Sequence, residues 1–328
     1  MSTTSDTTLL AEAMNRLARG QKEDLAALLT DVEVHSELTG TRVIFHFHCL
    51  RLDAQGEPRI RDLVRVICES VMDFAIPRKE LTAAKEQVDR GGSSAGYVRL
   101  MKEATALFTD ITQTGEGGEL LLFVMAEHLL KLPQLICKMD LKTNTRMHVH
   151  GADGLHVGVD AKTKHLVLYW GESKIYQDAS DAIRECLASL APMLKADENG
   201  KGPADRDLQL LRRYADLDDE ALEEAFRHFL DPKNEASNSL EFRGLCLVGF
   251  DSPHYPTKSG DDQIDKMLEA MKAGLPPLKT QISKRIEEEQ LQPFGMHFLC
   301  VPFPSAEDFR KRVRIELGIG EGEPSGVA

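Results

Sequence analysis

Several things are missing from the 328-residue sequence, and each absence narrows what it can be. No run of apolar residues approaches the roughly 20 that cross a bilayer as a helix, so no membrane span is expected. The opening MSTTSDTTLLAEAMNRLARG has no basic segment leading into an apolar one, so it does not read as a secretory signal. The six cysteines (Cys49, Cys68, Cys137, Cys186, Cys246 and Cys300) stand singly, mostly among apolar residues, with no CxxC pair and no Cys/His spacing that suits zinc. That usage reads as reduced, buried thiols in a cytoplasmic protein. Basic residues are in deficit: 40 Lys and Arg face 53 Asp and Glu, a formal net charge of −13. Such a balance argues against a protein that grips nucleic acid through a broad basic surface. It leaves room for an enzyme that meets phosphates through a metal ion. No GxxxxGK[ST] phosphate loop occurs, DRGGSSAG (89–96) included, so any use of ATP would belong to a partner. There is no internal repeat.

What is present reads as alternating strands and helices. Residues 1–8 are expected to be disordered, with helical patterns following near Leu9–Arg19 and Lys22–Thr30. DVEVHSEL and TRVIFHFHCLRLD alternate as the arms of a β-hairpin. Helices are expected over Arg59–Phe74, Arg78–Val88 and Tyr97–Phe108, with a flexible joint at DRGGSSAG. GELLLFVMAEHLLKL (118–132) is apolar around most of its circumference, as a buried helix is. Leu135–Leu141 reads as a strand. RMHVHGADGLHVGVD and KHLVLYWGESKIY form a second hairpin, and a helix follows from Ser180 to about Leu194. Residues 195–205 read as a polar loop. Farther on come strands at 240–250 and 296–303, a long charged helix around Asp262–Glu289, a last helix after Ser305 and a flexible tail (319–328). The fold class expected is α/β with a mixed sheet.

The second hairpin holds the pattern that bears on chemistry. If VGVD (157–160) pairs with HLVL (165–168) around the four-residue loop Ala161–Lys164, the same register sets Asp153 opposite Glu172. Lys174 lies two residues beyond Glu172, on the same face of the strand. Two facing carboxylates repel, and a divalent cation relieves the repulsion. Oxygen ligands from Asp153, Glu172 and one backbone carbonyl (that of Ser173) suit Mg²⁺, with Mn²⁺ as a substitute. Lys174 is placed to orient or deprotonate an attacking water, or to stabilise charge on phosphorus. The bland alternative is that Glu-x-Lys is a surface ion pair worth under about 1 kcal/mol.

Other residues invite weaker readings. His148, His150 and His156 flank the hairpin, and His46 and His48 alternate in FHFHC; packed strand histidines explain both sets better than zinc ligands do. Asp160 suits the turn itself. Asp140 competes with Asp153 as the first carboxylate but has no register argument. Trp170 reads as core, and Gln177 either contacts substrate or caps the next helix.

GADG, a hairpin and GESK, with a buried helix carrying Glu119 before them, resemble the core of PD-(D/E)xK nucleases, which have a restriction-endonuclease-like fold. GELLL (118–122), GADGLHV (151–157), GESKIY (171–176) and HFLCVPFPSAEDF (297–309) together resemble more closely the HamA family, nuclease subunits of the Hachiman anti-phage system. Ala152 stands where such nucleases often have Pro. The resemblance spans about residues 30–318. It implies a nuclease region at 96–318 with a C-terminal elaboration, and an N-terminal α+β region at 9–95 that is open to partner binding. It also implies a metal-dependent DNA nuclease working with a HamB-like superfamily 2 helicase. Carried over by position, Asp153 and Glu172 are metal ligands, Lys174 is the catalytic lysine, and Glu119 completes the site. A carboxylate in the first turn of a helix is favoured by the macrodipole as well. Two alternatives stay open, a catalytically silent adaptor that regulates a helicase and a free-standing restriction or repair nuclease. The charge balance and this resemblance together predict that the isolated chain binds DNA weakly with a shallow dependence on salt. A salt titration of binding by the lone chain checks this, and tight, steeply salt-dependent binding would contradict it.

Overall fold

The computed structural model describes residues 3–108, 116–137, 152–196, 219–257 and 263–319, with single positions at 200, 202, 211, 215 and 217. Helices α1 (Thr3–Leu17) and α2 (Lys22–Ala26) lead into strands β1 (Leu29–Glu37) and β2 (Val43–Leu50). Four helices follow: α3 (Ile60–Glu69), α4 (Val71–Ala75), α5 (Arg78–Asp89) and α6 (Ala95–Ala106). The buried helix is α7 (Glu116–His128), and the second hairpin is β3 (Gly154–Val159) with β4 (Leu166–Ile175). Beyond it lie α8 (Ala179–Leu194), α9 (Glu220–Leu230), β5 (Leu240–Asp251), α10 (Gln263–Ala273), α11 (Leu275–Glu288), β6 (Met296–Phe303) and α12 (Ala306–Glu316).

The six strands form one mixed sheet in the order β1-β2-β6-β5-β4-β3. The inner four run parallel, and each hairpin adds an antiparallel strand at one edge. The inner strands are near-continuous apolar runs such as LCLVGF and MHFLCVPF, as strands covered on both faces must be. Helix α8 covers one face over β4 and β5, and α7 and α12 cover the other. Residues 29–50 supply two of the six strands, so the N-terminal region builds part of the same sheet as the second hairpin.

Some boundaries differ from expectation for identifiable reasons. Helix α1 begins at Thr3, inside the stretch expected to be disordered; Leu10, Ala13 and Met14 bury one of its faces and the helix extends N-terminally from them. The helix expected over Arg59–Phe74 divides at Ser70. The one expected over Asp262–Glu289 divides at Gly274, because Pro276 and Pro277 have no N–H to continue a helix and are tolerated only in the first turn of a new one. DRGGSSAG is a tight turn, with Gly91 left-handed and the Gly92 N–H donating to the Gln87 carbonyl at 2.9 Å. Of the strand expected over Leu135–Leu141, residues 138–141 lie outside the described residues, and Gln134 makes a single bridge to His156.

The far end of α7 is fixed by a buried charge. Glu127 is 0% exposed and receives the Arg19 guanidinium (2.9 Å), the Arg78 guanidinium (3.5 Å) and the Gln134 N–H (2.9 Å). Arg78 also donates to the Leu17 carbonyl at 2.9 Å, which ties α1, α5 and α7 together. Burial alone would raise the Glu127 carboxyl, but the two arginines hold it below its ordinary range. Glu127→Ala would strand two poorly exposed guanidinium groups. It is expected to lower unfolding stability by about 3–5 kcal/mol, read from urea denaturation. A loss below about 1 kcal/mol would show that the network does not anchor the helix.

Candidate active site

The site is built on the β3–β4 hairpin, and the turn sets its register. The Asp160 carboxylate accepts the N–H groups of Lys162 and Thr163, both at 2.9 Å, and Lys164 takes a left-handed conformation at φ 61°. Arg243 of β5 donates to Asp160 and to Glu241, each at 2.7 Å, and pins the turn to the next strand. Burial works to raise the Asp160 carboxyl, but the Thr163 N–H and Arg243 hold it far below the usual carboxylate range. The rungs then run from Val159 opposite Leu166 to Gly154 opposite Gly171, the register expected from the sequence.

That register brings the hairpin's charged residues to the end of β4. Glu172 is only 2% exposed, and its Oε1 accepts a hydrogen bond from the Lys174 ammonium on the same face. The face is the one beneath α8, whose Cys186 thiol donates to the Glu172 carbonyl at 3.4 Å. Burial raises the Glu172 carboxyl; Lys174 opposes that shift and the nearby Glu119 adds to it. Burial would also lower the Lys174 pKa, but the bond to Glu172, assisted by the charge of Asp153, holds it above the ordinary lysine value. Lys174 is therefore an ammonium at neutral pH in this arrangement, fit to orient and stabilise rather than to accept a proton.

Asp153 sits where the β3 ladder ends. Its N–H donates to the Gly171 carbonyl at 2.9 Å, and its Oδ2 accepts both the Ser173 N–H at 2.7 Å and the Ser173 hydroxyl at 2.6 Å. An acceptor reached by a strand N–H lies at the edge of that strand, so the Asp153 carboxylate is beside β4 instead of stacked face-on over Glu172. Ser173 thus takes part through its N–H and hydroxyl, contributions that sequence reasoning missed. Glu119, half-buried in the first turn of α7, approaches from the opposite face. Helix α7 can come so near because residue 118 is glycine: a Cβ there would lie 2.9 Å from the Ser173 hydroxyl oxygen.

The donors are all hard oxygens. Glu172 Oε2 is buried without a hydrogen bond of ordinary geometry, although the Ser189 hydroxyl is near enough to favour its charged form. Such an oxygen is what a cation would satisfy. Among the described residues no group of three or more His, Cys, Asp or Glu side chains forms a cage for a metal. Hard oxygens are the donors that Mg²⁺ prefers.

The remaining candidates fall elsewhere. His156 is fully buried, with Nδ1 2.9 Å from the Leu132 carbonyl, and burial lowers its pKa. His46 packs against His297, with ring nitrogens 3.0 Å apart and its pKa lowered to about 3, while His48 pairs with Asp31 at 2.9 Å. Asp178, not Gln177, caps α8, accepting the Asp181 N–H at 3.0 Å. Trp170 is core at 2% exposure. Asp140, His148 and His150 lie outside the described residues.

Compared with known families, residues 26–317 match the family model described as HamA. No curated protein matches the chain.

Breaking the Glu172–Lys174 pair from either side should give unequal results. Lys174→Ala leaves a buried carboxylate uncompensated and is expected to cost about 3 kcal/mol of stability. The double variant Glu172→Ala/Lys174→Ala should cost at least about 1 kcal/mol less than the two single losses added together. Denaturant unfolding of the three variants measures the difference, and strict additivity would mean that the pair is not coupled.

Proposed function

The chain belongs to the HamA family, that of the Hachiman anti-phage defence protein, and from that premise we propose that it is a Mg²⁺-dependent deoxyribonuclease. It would act in the cytoplasm as the effector of a defence complex with a HamB-like helicase. The observation that carries this reading is the buried Glu172–Lys174 pair, with the Asp153 carboxylate held at the adjoining strand edge.

Glu172 and Asp153, with Glu119 approaching from α7 and the Ser173 carbonyl nearby, are the groups that would hold the ion. The ion would supply charge neutralisation at a nonbridging phosphate oxygen and at the leaving group. Lys174 would orient the attacking water and place positive charge beside the oxygens that become more negative as water adds to phosphorus and the 3′-oxygen leaves. The buried walls beneath α8 exclude water from one side of the pair, so its electrostatics act in a low-dielectric setting. The acidic balance of −13 fits a nuclease with little DNA affinity of its own, delivered by a partner that grips the strand. The absence of a phosphate-loop motif assigns any ATP use to that partner.

Degradation of plasmid DNA in Mg²⁺, with the helicase present, tests the proposal. Glu172→Ala and Lys174→Ala are each expected to lower the rate by about 100-fold or more. No Mg²⁺-dependent degradation by the unaltered chain with its partner would favour the silent adaptor. Robust degradation without any partner would favour the free-standing nuclease.

A further inference from the structure

We infer that Ser173 is a positioning residue that presents Asp153 to the divalent cation, and that Gly118 is glycine so that this can happen. The inference rests on the metal-site reading above and assigns a role to the Ser173 N–H and hydroxyl and to Gly118, to which that reading gives none.

Ser173 lies between Glu172 and Lys174 in sequence but on the other face of β4, toward α7. It is 2% exposed, so its hydroxyl has little water to turn to. Both of its donors go to one oxygen: the N–H meets Asp153 Oδ2 at 2.7 Å and the hydroxyl meets the same atom at 2.6 Å. The second distance falls in the range of charge-assisted O–H···O⁻ bonds. Two donors of fixed direction on one oxygen set the torsion of the carboxylate. Partners of this kind commonly tune metal affinity by about 10–100-fold without touching the ion.

Gly118 meets the Ser173 hydroxyl oxygen from α7. An added Cβ would stand 2.9 Å from Ser173 Oγ, 3.3 Å from Ser173 Cβ and 3.4 Å from Ile175 Cγ1. Any larger residue must displace the hydroxyl or lift the helix. Two elements distant in sequence thus converge on one hydrogen bond.

Titration calorimetry of the full-length protein with MgCl₂ gives a readout separate from catalysis. Ser173→Ala removes one oxygen and keeps the N–H; it is expected to weaken Mg²⁺ binding about tenfold or more. Gly118→Ala should weaken binding in the same direction without altering either carboxylate. Ser252→Ala removes a different buried hydroxyl, one bonded to Met271 Sδ, and should leave Mg²⁺ binding unchanged. If the unaltered chain binds Mg²⁺ and folded Ser173→Ala binds it equally well, the positioning role is wrong and the metal site stands. If the unaltered chain takes up no Mg²⁺ at millimolar concentration, the metal site falls and this inference falls with it. Should Ser173→Ala fail to fold, Gly118→Ala decides, and unchanged affinity there overturns the role.

Discussion

A carboxylate at 2% exposure is the constraint around which the hairpin is arranged. Left alone, Glu172 would either take up a proton or cost several kcal/mol as a buried charge. The chain answers from two residues away, where the alternation of a strand puts Lys174 on the same face. Lysine suits that place differently from arginine. Its charge is a point on a flexible stem and makes one contact with Glu172 Oε1, where a guanidinium would tend to hold both oxygens in a planar fork. With 22% of its side chain exposed, Lys174 keeps a path to water and can leave the carboxylate by turning about its own stem. The pair therefore satisfies the buried charge without sealing the site.

The second carboxylate is fixed from the opposite face, which makes α7 part of the site and not only its cover. Gly118 and Glu119 lie at one end of that helix and Glu127 at the other. At about 1.5 Å per residue, the anchored end is roughly 13 Å from the glycine. Arg19, just past the end of α1, and Arg78 of α5 clamp Glu127 at that end, while Gly118 packs on Ser173 at the other. Packed interiors transmit displacements because they have little free volume in which to absorb them. The N-terminal region thus anchors the far end of α7, in addition to supplying β1 and β2.

Much of this was legible in the sequence, and the limit of legibility has a physical cause. The hairpin register could be read because a four-residue loop, Ala161–Lys164, closes it, and the pairing that this loop implies sets Val157 opposite Leu168. From that register the nearness of Asp153 to Glu172 follows. The direction of the Asp153 side chain does not, since it depends on where the ladder ends and on which donors lie beyond the last rung. Ser173 was legible through its backbone carbonyl, as a candidate ligand, and not through its N–H and hydroxyl. Glu127 was hidden for another reason: it sits in an apolar helix, and its partners Arg19 and Arg78 are 108 and 49 residues away, a separation that no local pattern reports. The division at Gly274 was the reverse case. Pro276 and Pro277 announce it in the sequence, and the run of charged residues on either side masks it.

The charge of the site bears on how an acidic protein could act on a polyanion. Counted formally, Asp153, Glu172 and Glu119 bring three negative charges and Lys174 one positive, a balance of −2 before any ion is present. That balance is part of the −13 of the whole chain and repels a phosphate. One divalent cation would bring the local sum to zero, and its open coordination positions would then attract the phosphate that the bare carboxylates keep out. On the proposed reading, the carboxylates that would take part in cutting DNA exclude it until an ion is bound. On that reading a partner's grip would serve encounter, while the ion would serve contact. These two requirements are separable, because the first depends on the surface of the whole chain and the second on a few atoms at the end of β4.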